Sequence, residues 1–158
     1  MKKVFLALVA VIAIGTSTTF AQKAIGLRLG GGSLLGAEVS YQQDMGSNRL
    51  EADLGLGLGA YSTHLSVAGI YQWKWNIVDA LNWYAGPAVG VGIHLSDNEY
   101  YSGLSLGVGG QVGIEYNFNK FGVPLLVSFD VRPIIDLVHP KGYDLFGWGT
   151  CASVRYLF

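Results

Sequence analysis

The chain has little of what most soluble domains are built from. It holds one cysteine, four prolines and only 13% charged residues in 158, where about 25% charge is usual. The single cysteine, Cys151, excludes an internal disulfide framework. A lone exported thiol can be reactive; a small buried strand residue is the plainer reading of Cys151. Few prolines, and no glycine at every third position, exclude collagen. Scarce charge beside 13% aromatics excludes a disordered chain. Beyond the N-terminal stretch no apolar run reaches 18 residues, so no transmembrane helix is expected.

The N-terminus reads as a targeting segment. Lys2 and Lys3 precede an apolar run from Val4 to Gly15, and a small, polar stretch ends at Thr19-Phe20-Ala21. The run is short for a membrane span, and the pattern is that of a signal peptide over 1–21, cut before Gln22. No cysteine lies near the cut, which argues against a lipoprotein anchor. Taking 21 from 158 leaves a mature domain of 137 residues, 22–158, with 8 basic and 11 acidic residues. That balance is no nucleic-acid footprint.

What the chain does have is glycine, 23 residues of it. This much glycine is incompatible with a helical domain, since each costs about 1 kcal/mol in a helix relative to alanine. The apolar residues fall instead on alternate positions. Leu50, Ala52, Leu54, Leu56, Leu58 and Ala60 form one such run; Leu104, Leu106, Val108, Val112, Ile114, Tyr116 and Phe118 form another. Eight segments follow this rule, which is a strand signal. Their length matches the roughly 9–11 residues that a tilted strand needs to cross a bilayer. Pro87 interrupts the fifth segment, where a bulge or local break is expected because proline cannot donate to the ladder. Pro133 is expected to end or bend the seventh.

The opposite parity carries the polar residues and 14 of the 23 glycines. A soluble barrel would be apolar inside and charged outside. A membrane barrel is the reverse, and eight strands make one just wide enough for side chains to fill. The predicted fold is therefore an all-β, eight-stranded antiparallel up-and-down transmembrane barrel. Glycine lines the lumen and leaves room for a few long polar chains. Those expected in a lumen polar network are Arg28, Glu38, Glu51, Asp53, Lys74, Glu115, Asp130, Arg132 and Arg155. Lys74 is expected to meet Glu51 and Asp53 at one level, and Arg155 to lie with Glu115. Buried charges must be paired, so the network reads as a structural plug; a proton or ion path through it, or a narrow pore, is the sharper alternative.

Connections after strands two, four and six are short (Asp44 to Asn48, Asn76 to Leu81, Asn119 to Gly122), and those after five and seven are longer. Short turns belong on the periplasmic side. An aromatic girdle of Tyr41, Trp73, Trp75, Trp83, Tyr116, Phe118, Tyr156 and Phe158 gathers at that end, and a thinner set (Tyr61, Tyr100, Tyr101, Phe146, Trp148) marks the other rim. Both termini are then periplasmic.

The leader, the eight alternating segments and the terminal Tyr156-Leu157-Phe158 resemble the small outer-membrane β-barrel family, of the OmpA/OmpX-like type. The segment Asp130-Val131-Arg132-Pro133 also resembles last-but-one strands of that group. The resemblance implies a bacterial outer-membrane location reached through the periplasm. It implies outer-membrane lipids as surroundings and, as partners in biogenesis, the barrel-assembly machinery, which reads an assembly signal like Tyr156 and Phe158, and periplasmic chaperones. A monomer is expected, with no cofactor, no metal and no nucleic-acid partner. The chain stops at the eighth segment, without the periplasmic peptidoglycan-binding domain of longer members. The family includes anchors, adhesins, lipid-modifying enzymes and members without activity.

Chemistry-bearing groups are sparse. His64, His94 and His139 are all expected near the outer rim. His94 and Ser96, with Asp97 and Glu99 nearby, can be read as base and nucleophile, as in lipid A deacylase barrels. The flanking arginine and Asn-Ala-Gly pattern of those enzymes is missing, and His94 falls on the inner parity. Histidines and loop carboxylates show no metal-ligand spacing, and glycine pairs such as Gly107 and Gly109 lie inside strands rather than opening helices. The expectation is a non-enzymatic barrel with a structural or surface-interaction role; the alternative is a lipid-modifying acyl hydrolase or transferase.

Overall fold

In the computed structural model the alternating segments form eight antiparallel strands. The structure describes residues 22–32, 35–58, 63–96, 102–140 and 145–158; the expected signal peptide and the rim residues Tyr61, Tyr100 and Tyr101 lie outside them. The strands are β1 (Lys23–Gly32), β2 (Leu35–Met45), β3 (Asn48–Leu58), β4 (Thr63–Val78), β5 (Leu81–Leu95), β6 (Gly103–Asn117), β7 (Leu125–Val138) and β8 (Phe146–Leu157). Each pairs with its sequence neighbour, and β1 closes on β8. Closure leaves no edge, so every strand has a ladder partner on both sides, as a lipid environment demands.

The two faces separate as the alternation requires. Leu27, Leu54 and Val89 are half or more exposed on the outside. Among the described residues only Asp79 and Lys120 are exposed charges, both in turns at one end. An outer wall of bare aliphatic side chains has no place in water and a natural one in hydrocarbon.

Three turns share an end with both strand termini, here the near end. Two are tighter than expected from sequence, and the third, between Asn117 and Leu125, is longer. Gly46 and Ser47 alone join β2 to β3, with Gly46 at φ 71° supplying the left-handed step. Asp79 and Ala80 alone join β4 to β5, because β4 runs on to Val78 across a register shift between Asn76 and Val78. A 3-10 turn at Phe118–Phe121 joins β6 to β7, so Phe118 sits in the turn rather than in the strand.

Pro87 gives the local break that was one of its two expectations, and Pro133 does not end its strand. At Pro87 there is no bulge: the β4–β5 ladder lapses between Ile70↔Ala88 and Trp73↔Ala85 and resumes in the same register. On the other side Pro87 stays paired with Gly110. Pro133 does not end β7, which continues to Val138. The ladder lapses toward β6 between Gly109↔Ile134 and Val112↔Val131, while Pro133↔Trp148 holds toward β8. A proline lacks a single donor, and two flanking strands keep the chain extended around that loss.

Candidate functional site

The inner wall carries the chemistry, and it is layered. At the near end Ala24, Leu126 and Leu157 turn inward and pack together as a small apolar floor. Above them lies a polar network. Above that is a chamber.

Glu51 of β3 is the centre of the network. Its carboxylate takes Arg28 Nη1 at 2.6 Å, Arg132 Nη2 at 3.3 Å and Arg155 Nη2 at 3.3 Å. It also accepts from the side-chain amides of Gln72 at 3.0 Å and Gln111 at 3.4 Å, and from that of Gln42. Arg28 reaches further, to Glu38 at 2.9 Å and Asp130 at 2.8 Å. Arg132 pairs with Asp53 and reaches Glu38 at 3.6 Å. Arg155 spends its other donors on Ser40, Ser128 and Ser153. Tyr84, fully buried, donates its hydroxyl to Asp130 at 3.1 Å. Each arginine fork thus finds several acceptors, the condition under which buried ions are tolerated.

Two expected pairings are different in the structure. Lys74 does not meet Glu51 or Asp53; it pairs with Asp44 at 2.6 Å, at the near-end mouth. Glu115 does not pair with Arg155; its partner is Arg49 at 2.6 Å. The reason is the stagger of the closed sheet, which offsets each strand axially from the next. Residues level in a flat meander are then not level in the barrel.

Sequence reasoning missed Arg49, Tyr84, Gln42, Gln72 and Gln111 as network members. Arg49 shares the parity of Glu51 and Asp53, so the signal was present. Ile70, Leu126 and Leu157 are large and apolar yet buried inside, where the alternation rule placed only polar or small residues.

The girdle residues all face outward at the near end. Trp75 and Trp83, cross-strand partners, stack at 4.3 Å, and Tyr116 packs edge-on to Phe118 at 4.8 Å. Trp73, Tyr156 and Phe158 are exposed, and Tyr41 is half-buried. Phe146 and Trp148 are exposed toward the far end.

The chamber, about 480 Å³, occupies the far half of the lumen. Arg28, Glu38 and Arg132 form its floor and glycines much of its wall. His64 and His94 are direct cross-strand partners whose rings stack at 4.1 Å, nearly parallel, on that wall. His94 therefore faces the lumen. Ser96 exchanges hydrogen bonds with Ser102, its N–H donating at 3.0 Å and its carbonyl accepting at 2.7 Å; Asp97 and Glu99 lie outside the described residues. Cys151 is half-buried in β8 and lines the chamber rather than packing in a closed core. Among the described residues no three His, Cys, Asp or Glu side chains are placed to share a metal ion. A second cavity at the near end is only about 20 Å³, room for about one water.

No family model matches the chain, and no curated protein matches it in sequence. Its fold is similar to the crystal structure of Neisserial surface protein A (NspA), with a TM-score of 0.65 and 14% identity, over 87% of this chain and 96% of that one. The outer membrane enzyme PagL is a looser match, with a TM-score of 0.46 and 11% identity over 84% and 97% of the two chains. At these identities likeness speaks for the fold alone. With an apolar wall outside, a polar lumen inside and eight strands closed on themselves, this chain folds as a small β-barrel of the outer-membrane type.

Proposed function

We propose that this outer-membrane barrel is a non-enzymatic, membrane-embedded structural or surface-interaction protein whose lumen is plugged. The observation that carries this reading is Glu51. It is gripped from several strands at once and lines neither cavity, so the chamber at one end and the single-water void at the other are separated by a layer of paired charges. Opening a path would strip partners from several buried ions together.

A non-enzymatic role is supported by the position of His94. A base for acyl chemistry on lipid must reach the lipid-facing side, whereas His94 is stacked on His64 inside. The near end with its short turns and girdle suits the periplasmic side, and the outward Tyr156 and Phe158 suit recognition by an assembly machinery before closure; Phe158 then pairs its backbone with Lys23 at 2.9 and 3.1 Å. We read the barrel as a monomer in lipid, made with the help of periplasmic chaperones.

Planar-bilayer recording tests the plug: the protein should give no discrete conductance, and stable open levels would overturn that part. The membrane assignment rests on detergent partitioning and a heat-modifiable gel shift; a mature protein that stays soluble and monomeric without detergent would defeat it. Lipid A mass profiles of cells with and without the protein should coincide.

A further inference from the structure

We propose that the far chamber is a binding site for a small organic cation bearing primary ammonium groups. The chamber, about 480 Å³, falls within the range of sites that enclose small molecules. It is far larger than a metal ion, and no trio of ligating side chains among the described residues is arranged for one.

The charges on its surface decide the sign of the ligand. The two arginines that reach the floor, Arg28 and Arg132, are already offset by Glu38, Glu51, Asp53 and Asp130. Glu38 keeps about a quarter of its side chain (23%) accessible. Higher on the wall, Asp136 makes no ion pair among the described residues. An anion would meet only arginines that are spoken for, while a cation meets a carboxylate that has no ion pair among the described residues.

The acceptors beside Asp136 are grouped on one wall. A Cβ at Gly92 would stand 2.1 Å from His64 Nε2 and 2.8 Å from Ser105 Oγ; one at Gly107 would stand 2.6 Å from Asp136 Oδ1. The glycines of β5 and β6 thus let an imidazole, a hydroxyl and a carboxylate lie flat against neighbouring positions of the barrel wall. His64 Nε2 is buried with no hydrogen-bond partner. A neutral imidazole offers one acceptor, a hydroxyl accepts, a carboxylate accepts with charge, and an ammonium group donates in three directions. The wall brings these three groups together, with Asp136 the most open of them and His64 Nε2 and Ser105 set back beside Gly92. A guanidinium, planar and forked, suits a single carboxylate better than three dispersed acceptors.

Spermidine is a suitable probe. The mature barrel in detergent, its folding confirmed by heat-modifiable migration, is titrated calorimetrically at low salt. Saturable one-to-one binding is expected, with citrate and glucose giving none. Asp136→Asn, nearly isosteric, should weaken spermidine about tenfold or more, as loss of a charged partner does. Gly149→Leu should weaken it by filling the chamber, because a Cβ there meets nothing within 4 Å. Asp79→Asn, in a near-end turn, should leave it unchanged. The proposal is overturned if spermidine does not saturate, if neither chamber variant alters its affinity, if citrate binds instead, or if Zn²⁺ displaces spermidine from the site. Conductance tests the plug separately, so a conducting barrel that binds spermidine would sink the one and keep the other.

Discussion

Arg28 and Glu51 meet at 2.6 Å although β1 and β3 are not neighbours in the sheet. The arginine side chain passes over the inner face of β2 to reach it, and the same guanidinium also reaches Asp130 of β7 at 2.8 Å, on the other side of β8. From it follows the layered interior: apolar floor, charged middle, open chamber.

Glu51 should be the costliest single polar residue to lose. Replacing it by Gln keeps the volume but leaves Arg28, Arg132 and Arg155 clustered without their shared anion. Breaking a buried pair costs about 3–5 kcal/mol, and Glu51→Gln should lower unfolding stability in detergent by about that much. Guanidinium denaturation followed by tryptophan fluorescence measures it; a change below about 1 kcal/mol would remove Glu51 from the centre of the network.

Glycine is not equivalent along the wall. A Cβ at Gly86 would lie 1.7 Å from the Tyr71 carbonyl oxygen, backbone that cannot swing aside. Gly86→Ala should therefore impair barrel closure, seen as loss of the heat-modifiable band. Gly149→Ala meets open space and should be neutral, or stabilise by up to about 1 kcal/mol by removing a flexible residue. Equal behaviour of the two would refute the close-approach explanation.

The outer wall makes a prediction of opposite sign from that of a soluble barrel. Leu54, 53% exposed at mid-belt, should tolerate Leu54→Val in lipid vesicles but lose about 2–4 kcal/mol as Leu54→Arg. On a water-facing wall the arginine would cost almost nothing.

Depth-dependent quenching by brominated lipids reads the girdle directly. Single-tryptophan variants retaining Trp75 or Trp83 should be quenched most by labels near the headgroups of one leaflet. A variant retaining Trp148 should report the opposite leaflet when label is confined to one side. Maximal quenching of Trp75 at mid-bilayer depth would misplace the near-end rim.

Much of this was legible in one dimension. Alternation has only two phases in a strand, so Leu54 and Glu51 could be assigned to opposite faces from position alone, and the girdle at Trp73, Trp75 and Trp83 followed from the same count. Turn lengths were less legible: Asn76 to Leu81 reads as a connection, yet β4 runs on to Val78 because β5 alone accompanies it past the start of β3, with Asn76 opposite Asn82 and Val78 opposite Leu81. Pro87 does interrupt the ladder toward β4, but Pro133 does not end β7, since a residue's local weakness says nothing of the support on the strand's two sides.

Sequence by itself determined which face of each strand is apolar, how many strands there are, and that the polar face is lined with glycine. Those are consequences of a period of two and of side-chain size, both local. Only the tertiary structure decided that Arg49 takes Glu115, that Arg155 takes Glu51, that Lys74 stays at the mouth with Asp44, and that His64 lies on His94 above the charged layer. Pairing across a lumen depends on how far each strand is staggered and how long a side chain can reach inward, and neither quantity exists until the sheet has closed.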